Sequence, residues 1–208
     1  SVLIGNADGT FQPGVTYSTP TDPSSVSVAD VNGDGKPDLC ARGPAGIFCA
    51  LGDGAGNFAT GSLINGPAWS DAAGWNQPFR YRTVKFPDLD GDGKADVCGR
   101  DMNGVVCHLS TGAGFSSTAI RGPGLPDAGG WIQERYYSTI QFPDVNGDGR
   151  ADVCGRANDG VNCALSTGTA FGTYSLWASA FSNTAGYLTD ATRWATIQYP
   201  DLDANGRA

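Results

Sequence analysis

The chain has 208 residues, 40% of them apolar, and a net charge of −8 from 13 basic and 21 acidic side chains. That length carries one domain with a real core, the acidic balance leaves no electrostatic footprint for nucleic acid, and no run of about 18 apolar residues offers a membrane-spanning helix. With 31 glycines, 12 prolines and a single methionine, the composition favours turns over helices.

Ser1 opens directly on a strand-like segment, SVLIGNADGTF to Phe11, with no signal peptide ahead of it, as in a processed or excised chain. The next apolar alternation is SVSVAD, where Val26 and Val28 share one face, the period-2 pattern of a strand. It leads into DVNGDGKPD, Asp30 to Asp38, which recurs as DLDGDGKAD from Asp88 to Asp96 and as DVNGDGRAD from Asp144 to Asp152. Hard cations such as Ca²⁺ take six to eight oxygen ligands, and a short loop supplies them only by turning sharply around the ion. Asp30, Asn32, Asp34 and Asp38 stand at positions 1, 3, 5 and 9, with the carbonyl of Lys36 at position 7. The second set is Asp88, Asp90, Asp92, Lys94 and Asp96, and the third is Asp144, Asn146, Asp148, Arg150 and Asp152. Three structural Ca²⁺ sites are expected, against the alternative of Asx-rich turns without metal. An EF-hand is excluded, since its twelfth-position Glu is replaced by Ala41, Gly99 and Gly155. A fourth copy, DLDANGRA from Asp201, lacks the ninth-position acid and is expected to hold no tight site.

Each complete loop runs into two strands that carry a C-x8-C pair: Cys40/Cys49, Cys98/Cys107 and Cys154/Cys163. Zinc sites would use closer C-x2-4-C pairs. A hairpin turning between the two cysteines, as at Met102-Asn103-Gly104, instead sets them opposite one another across antiparallel strands, within reach of the roughly 4.4–6.8 Å that a disulfide spans. Three local disulfides imply an oxidising compartment, hence a secreted or cell-surface location. A Gly-rich turn then ends on an aromatic, at Phe58, Phe115 and Phe171, and the opening segment ends alike on Phe11.

The remainder of each later unit is an insert: DAAGWNQPFRYR from Asp71, DAGGWIQERYYS from Asp127, and the divergent NTAGYLTDATRWA from Asn183. The first unit lacks it. No segment shows a helical period of useful length. Trp75, Arg80 and Tyr81 in one insert, and Trp131, Arg135 and Tyr136 in the next, are tentative carbohydrate contacts, because aromatic faces stack on sugar C–H surfaces and cations bind hydroxyls. The competing reading packs the tryptophans between repeats and pairs the arginines with nearby acids.

The loops begin at residues 30, 88, 144 and 201, a period near 57. About four short strands per period predict an all-β fold, a β-propeller of four-stranded blades with about 3.7 blades present. The repeats run over 1–11, 12–58, 59–115, 116–171 and 172–208 within a single partial propeller. The expected setting is a seven-bladed ring to which this chain contributes part, or a half-ring that self-associates with a second copy.

The loop followed by an apolar strand resembles the FG-GAP/VCBS repeat of integrin-α-like propellers and secreted microbial proteins. The Gly74-Trp75 and Gly130-Trp131 inserts further resemble PVL-like seven-bladed propeller lectins, which do not require the C-x8-C pairs found here. These resemblances imply a secreted, calcium-stabilised module that binds carbohydrate or a cell-surface glycan, with an extracellular protein partner or a purely structural role as the alternatives. An enzyme is not expected, unless the module is appended to one. His108 is the sole histidine and is expected on the outer face of a blade, no G-x-S-x-G motif is present, and Glu134, the sole glutamate, has no evident partner.

Overall fold

The computed structural model describes residues 23–200 throughout, and residues 3, 5, 6, 8–14 and 16 ahead of them. The fourth loop, from Asp201, and parts of the opening segment lie outside the described residues. Three antiparallel sheets follow one another along the chain. The first has the order β1–β2–β3–β4, from Ser25–Ala29, Asp38–Gly43, Gly46–Gly52 and Phe58–Asn65. The second joins β5 (Val97–Arg100), β6 (Val105–His108) and β7 (Ile120–Arg121). The third joins β8 (Val153–Arg156), β9 (Val161–Ala164) and β10 (Ser175–Ala178). These are blades of a β-propeller.

Only the first blade has four full strands. In the others the expected inner strands TVKFPD and TIQFPD contract to single bridges, Lys85 with Cys98 and Gln141 with Cys154, in the register that β1 holds through Ser27 and Cys40. Proline explains this. Pro87 and Pro143 stand where the first blade has Ala29, and a residue without an N–H cannot extend the ladder. From the other side a helical turn runs directly into the segment: α1 is Pro78–Tyr81 and α2 is Glu134–Tyr137. Thr83 then uses its hydroxyl in place of a strand, donating to the Arg80 carbonyl at 2.6 Å and accepting from the Arg100 amide at 2.9 Å. The inserts, expected to be free of helix, thus each contain one turn of it, with α3 at Ala191–Trp194 capped by Asp190.

The core lies between blades. Val31, Ile47, Cys49 and Ile64 of the first blade meet Phe86 and Phe115 of the second. Leu89, Val105, Cys107 and Ile120 of the second meet Ile140, Val153 and Ala164 of the third. The loop ends are also tied blade to blade, because the Ala95 amide donates to the Asp30 carbonyl at 2.7 Å and the Ala151 amide to the Asp88 carbonyl at 2.8 Å.

All three disulfides form, with Cα atoms 4.0, 4.1 and 4.2 Å apart and every sulfur buried. The backbone accounts for the close approach. Cys98 exchanges both its hydrogen bonds with Lys85, so it faces Cys107 as a non-hydrogen-bonded pair, the narrow pair of an antiparallel ladder.

Candidate functional site

Each complete loop is built by its first aspartate. Asp30 accepts from the amides of Gly33 and Asp34 on Oδ1 and of Gly35 on Oδ2, and Asp88 and Asp144 repeat the pattern. Gly35, Gly93 and Gly149 have φ near +80°, so the turn requires glycine there. The ninth-position acids are buried and fix the loop to the sheet. Asp38 accepts from Val31 and Gly52, Asp96 from Leu89 and Ser110, and Asp152 from Val145 and Ser166, all through backbone amides.

These positions differ in electrostatic character. Burial raises the carboxyls of Asp38, Asp152 and Asp90, and pushes Asp96 up to about 7 against its two amide bonds. One oxygen each from Asp88, Asp90 and Asp96 lies within 4.8 Å of the others. A cation about 2.4 Å from each would span that group, so the oxygen-only donor set fits Ca²⁺. The fifth-position acids are placed differently from expectation, turning to the seventh-position cations. Asp34 pairs with Lys36 at 3.4 Å, Asp92 with Lys94, and Asp148 with Arg150 at 2.5 Å. Asp34 is held low by the Lys36 amide, and Asp148 by Asn146. In Asp92 the Lys94 bonds outweigh an opposing burial effect.

The six tentative carbohydrate contacts separate. Trp75 and Trp131 are only 5% and 7% exposed. Trp75 stacks on Trp69 with centroids 4.2 Å apart and planes 5° from parallel. It also covers Gly99, where a Cβ would come within 2.9 Å of the ring, and Trp131 covers Gly155 in the same way. The first blade, with no such insert before it, has Ala41 at that position. These tryptophans are packing, which corrects their assignment as sugar platforms. Arg80 and Tyr136 are buried too, and for a shared reason. Counted from the tryptophan, Arg80 matches Tyr136 and not Arg135, and both occupy the third position of their helical turn. Arg80 donates to Asp127 at 2.6 Å; at the matching site Tyr136 bonds Asn158 and accepts from Asn183 at 3.2 Å. Tyr81 and Arg135 remain half-buried. Beside Tyr81, the exposed Arg82 pairs with Glu134 at 2.7 Å, so the sole glutamate has a partner after all.

Sequence reasoning passed over a third repeated feature, the arginine that ends the second strand. Arg42, Arg100 and Arg156 are buried, two of them fully. Each straps its own blade to the start of the following insert. Arg42 reaches the Trp69 carbonyl at 3.0 Å and Asp71. Arg100 reaches the Leu125 carbonyl at 2.9 Å and Asp127 at 2.8 Å. Arg156 reaches the Phe181 carbonyl at 2.8 Å and Asn183. Burial draws the Arg100 and Arg156 guanidinia below their ordinary values. The repeated C-[AG]-R in the sequence was the available signal.

His108 lies edge-on to Trp69 and contacts the Ser116 carbonyl through Nδ1 at 2.7 Å. It is half-buried at a blade junction, not on an outer face as expected. Among the described residues, no helix is long and apolar enough to cross a membrane.

A family model described as FG-GAP-like repeat matches residues 1–41 and 88–155, more than half of the chain. No curated protein sequence matches significantly. Among solved structures, a lectin of Agrocybe aegerita, described as recognising non-reducing terminal N-acetylglucosamine, matches with a TM-score of 0.66 and 29% identity. The match covers 76% of this chain and 39% of the lectin. The Photorhabdus luminescens Tc holotoxin pore matches with a TM-score of 0.54 and 22% identity, over 95% of this chain and 8% of that one. A TcdB2-TccC3 structure gives the same TM-score and identity, over 95% of this chain and 9% of its own. At that identity these two show the fold alone.

Proposed function

The chain belongs to the FG-GAP-like repeat family, and from that footing we propose that it is a non-catalytic, calcium-stabilised propeller module that binds carbohydrate outside the cell. The likeness to the N-acetylglucosamine-recognising lectin carries the carbohydrate part of this reading, at 29% identity over 76% of the chain. The calcium part rests on the gathered oxygens of Asp88, Asp90 and Asp96, with the homologous loops at Asp30 and Asp144 as further sites. Bound Ca²⁺ would offset the repulsion among these acids and so clip the loop to the blade. Three buried disulfides support an oxidising, extracellular setting.

With the tryptophans buried, the proposed sugar contacts are Tyr81 and Arg135 with the Arg82–Glu134 pair beside them. This surface combines an aromatic face with both signs of charge. The test is a glycan array on a multivalent preparation, in millimolar Ca²⁺ and after chelation. Binding to a coherent set of terminal sugars, lost with EDTA and weakened in Tyr81→Ala, is the expected result. A folded sample that binds no glycan would overturn the carbohydrate reading.

A further inference from the structure

Two features of this propeller match as parts of one interface. Inside the molecule, the aromatic that closes each Gly-rich turn seats on the preceding blade. Phe171, closing the Ser166–Phe171 bridge, packs with Val105, Ile120 and Leu125 of the second blade. Its ring comes so close to Gly122 that a Cβ there would stand 3.2 Å from Phe171 Cδ2. Phe115, closing the Ser110–Phe115 bridge, packs with Ile47 and Ile64 of the first blade. Each seat lies beside a valine or isoleucine that pairs with the buried strand-ending arginine: Ile47 with Arg42, and Val105 with Arg100.

The third blade has the same seat. Val161 pairs with Arg156, and Ala178 lies opposite Val161 where Gly122 faces Val105. This seat is an apolar groove of about 510 Å³, lined by Val161, Cys163, Trp177, Ala178, Phe181 and Tyr199. Trp177 on its rim is half-exposed.

The matching key is at the other end of the molecule. The hairpin Gly5–Phe11 forms the same bridge as Ser166–Phe171, closed by a bond from the Asn6 amide to the Thr10 carbonyl at 2.7 Å. Phe11 occupies the position of Phe115 and Phe171, yet it is 65% exposed. Both parts are apolar surfaces whose counterparts elsewhere in the molecule are covered.

We propose that Phe11 of one copy of this chain seats in the Val161–Ala178 groove of a second copy, joining the molecules head to tail through the contact that already joins blade to blade. The occupant is specific because the repeat supplies the template, with the same hairpin, the same closing aromatic and the same seat register. Such an interface is heterologous, since each copy offers one key and one seat. The inner-strand segment Ile197–Tyr199 of one molecule and the Gly5–Phe11 hairpin of its partner then belong to one composite blade.

The test uses the full chain and light scattering coupled to size-exclusion chromatography. The wild-type protein runs above the monomer mass. Phe11→Asp, at an exposed position that leaves the fold intact by circular dichroism, weakens association by at least about tenfold, as loss of a central aromatic anchor does. Ala178→Arg, which fills the seat, does the same. An equimolar mixture of the two variants recovers a dimer, because one contributes an intact Phe11 and the other an intact groove. A monomeric wild-type protein overturns the proposal. So does an assembly indifferent to both variants, or a mixture that stays monomeric when each variant is monomeric alone.

Discussion

Replacing Asp127 with asparagine tests whether the strapping arginines are electrostatic or merely steric. Asp127 accepts Arg100 on Oδ1 at 2.8 Å and Arg80 on Oδ2 at 2.6 Å. The Arg100 side chain is fully buried, while that of Asp127 is 33% exposed. Asparagine retains one acceptor oxygen but removes the charge and turns an NH₂ group towards one guanidinium. Breaking a buried pair from one side costs about 3–5 kcal/mol. The partial exposure of Asp127 lowers this to roughly 2–3 kcal/mol after solvent screening. For a domain of this size that is a fall in Tm of roughly 4–10 °C.

The molecule already contains the neutral alternative. In the next unit Asn183 stands in place of Asp127, and Tyr136 stands in place of Arg80. There Arg156 keeps its bond to Asn183, and its guanidinium lies 5.5 Å from the Tyr136 ring. The double variant Arg80→Tyr/Asp127→Asn therefore recreates an arrangement that this fold accepts. It is expected to recover roughly 1–2 kcal/mol relative to the sum of the single variants, a coupling readable in a double-mutant cycle. The assay is urea unfolding of all four proteins with disulfides intact, comparing midpoints at unchanged slope. If Asp127→Asn shifts the midpoint no more than an exposed surface substitution, or if the double variant is worse than additive, the charge-pairing account fails.

Other consequences are as direct. Trp75→Ala removes the stack on Trp69 and should cost about 3–5 kcal/mol, and Gly99→Ala, which presses a methyl into the same ring, about 1–3 kcal/mol; glycan binding measured on the fraction that folds should persist in both. Removing one disulfide as Cys98→Ala/Cys107→Ala should cost about 2–3 kcal/mol, given so short a closed loop, and calorimetry would show it as a lowered Tm. Chelation should lower the Tm of the wild-type protein, and Asp90→Ala should abolish most of that response at the second loop; a Tm indifferent to EDTA would refute the calcium reading.

Local pattern made much of this architecture legible. The three repeats, the hairpins and the disulfide partners follow from spacing, because an antiparallel register places residues eight apart around a tight turn directly opposite one another. What spacing could not convey was competition for the same backbone. The inner strands of the second and third blades were expected at full length, yet a proline on one side and a helical turn on the other leave one bridge each. The fifth-position aspartates illustrate a similar limit. Their place in the motif is clear, but the lysine or arginine two residues on is a closer partner in the structure.

The inserts show how one residue of register changes a functional reading. Taken as a composition, Trp-Arg-Tyr recurs in both, and a repeated aromatic and cationic trio suggests a repeated sugar site. Measured from the tryptophan, Arg80 is five residues on and Arg135 only four, so the two arginines are not equivalent. A helical turn advances about 100° per residue, so a shift of one sends a side chain to a different face. Arg80 therefore enters the blade junction to meet Asp127, whereas Arg135 stays half-exposed against the ring of Tyr136, 4.9 Å from its centroid. The paired change of Arg80 and Asp127 to Tyr136 and Asn183 then follows from one requirement. A guanidinium at the junction needs a carboxylate opposite it, and where the guanidinium gives way to a phenol, an amide suffices.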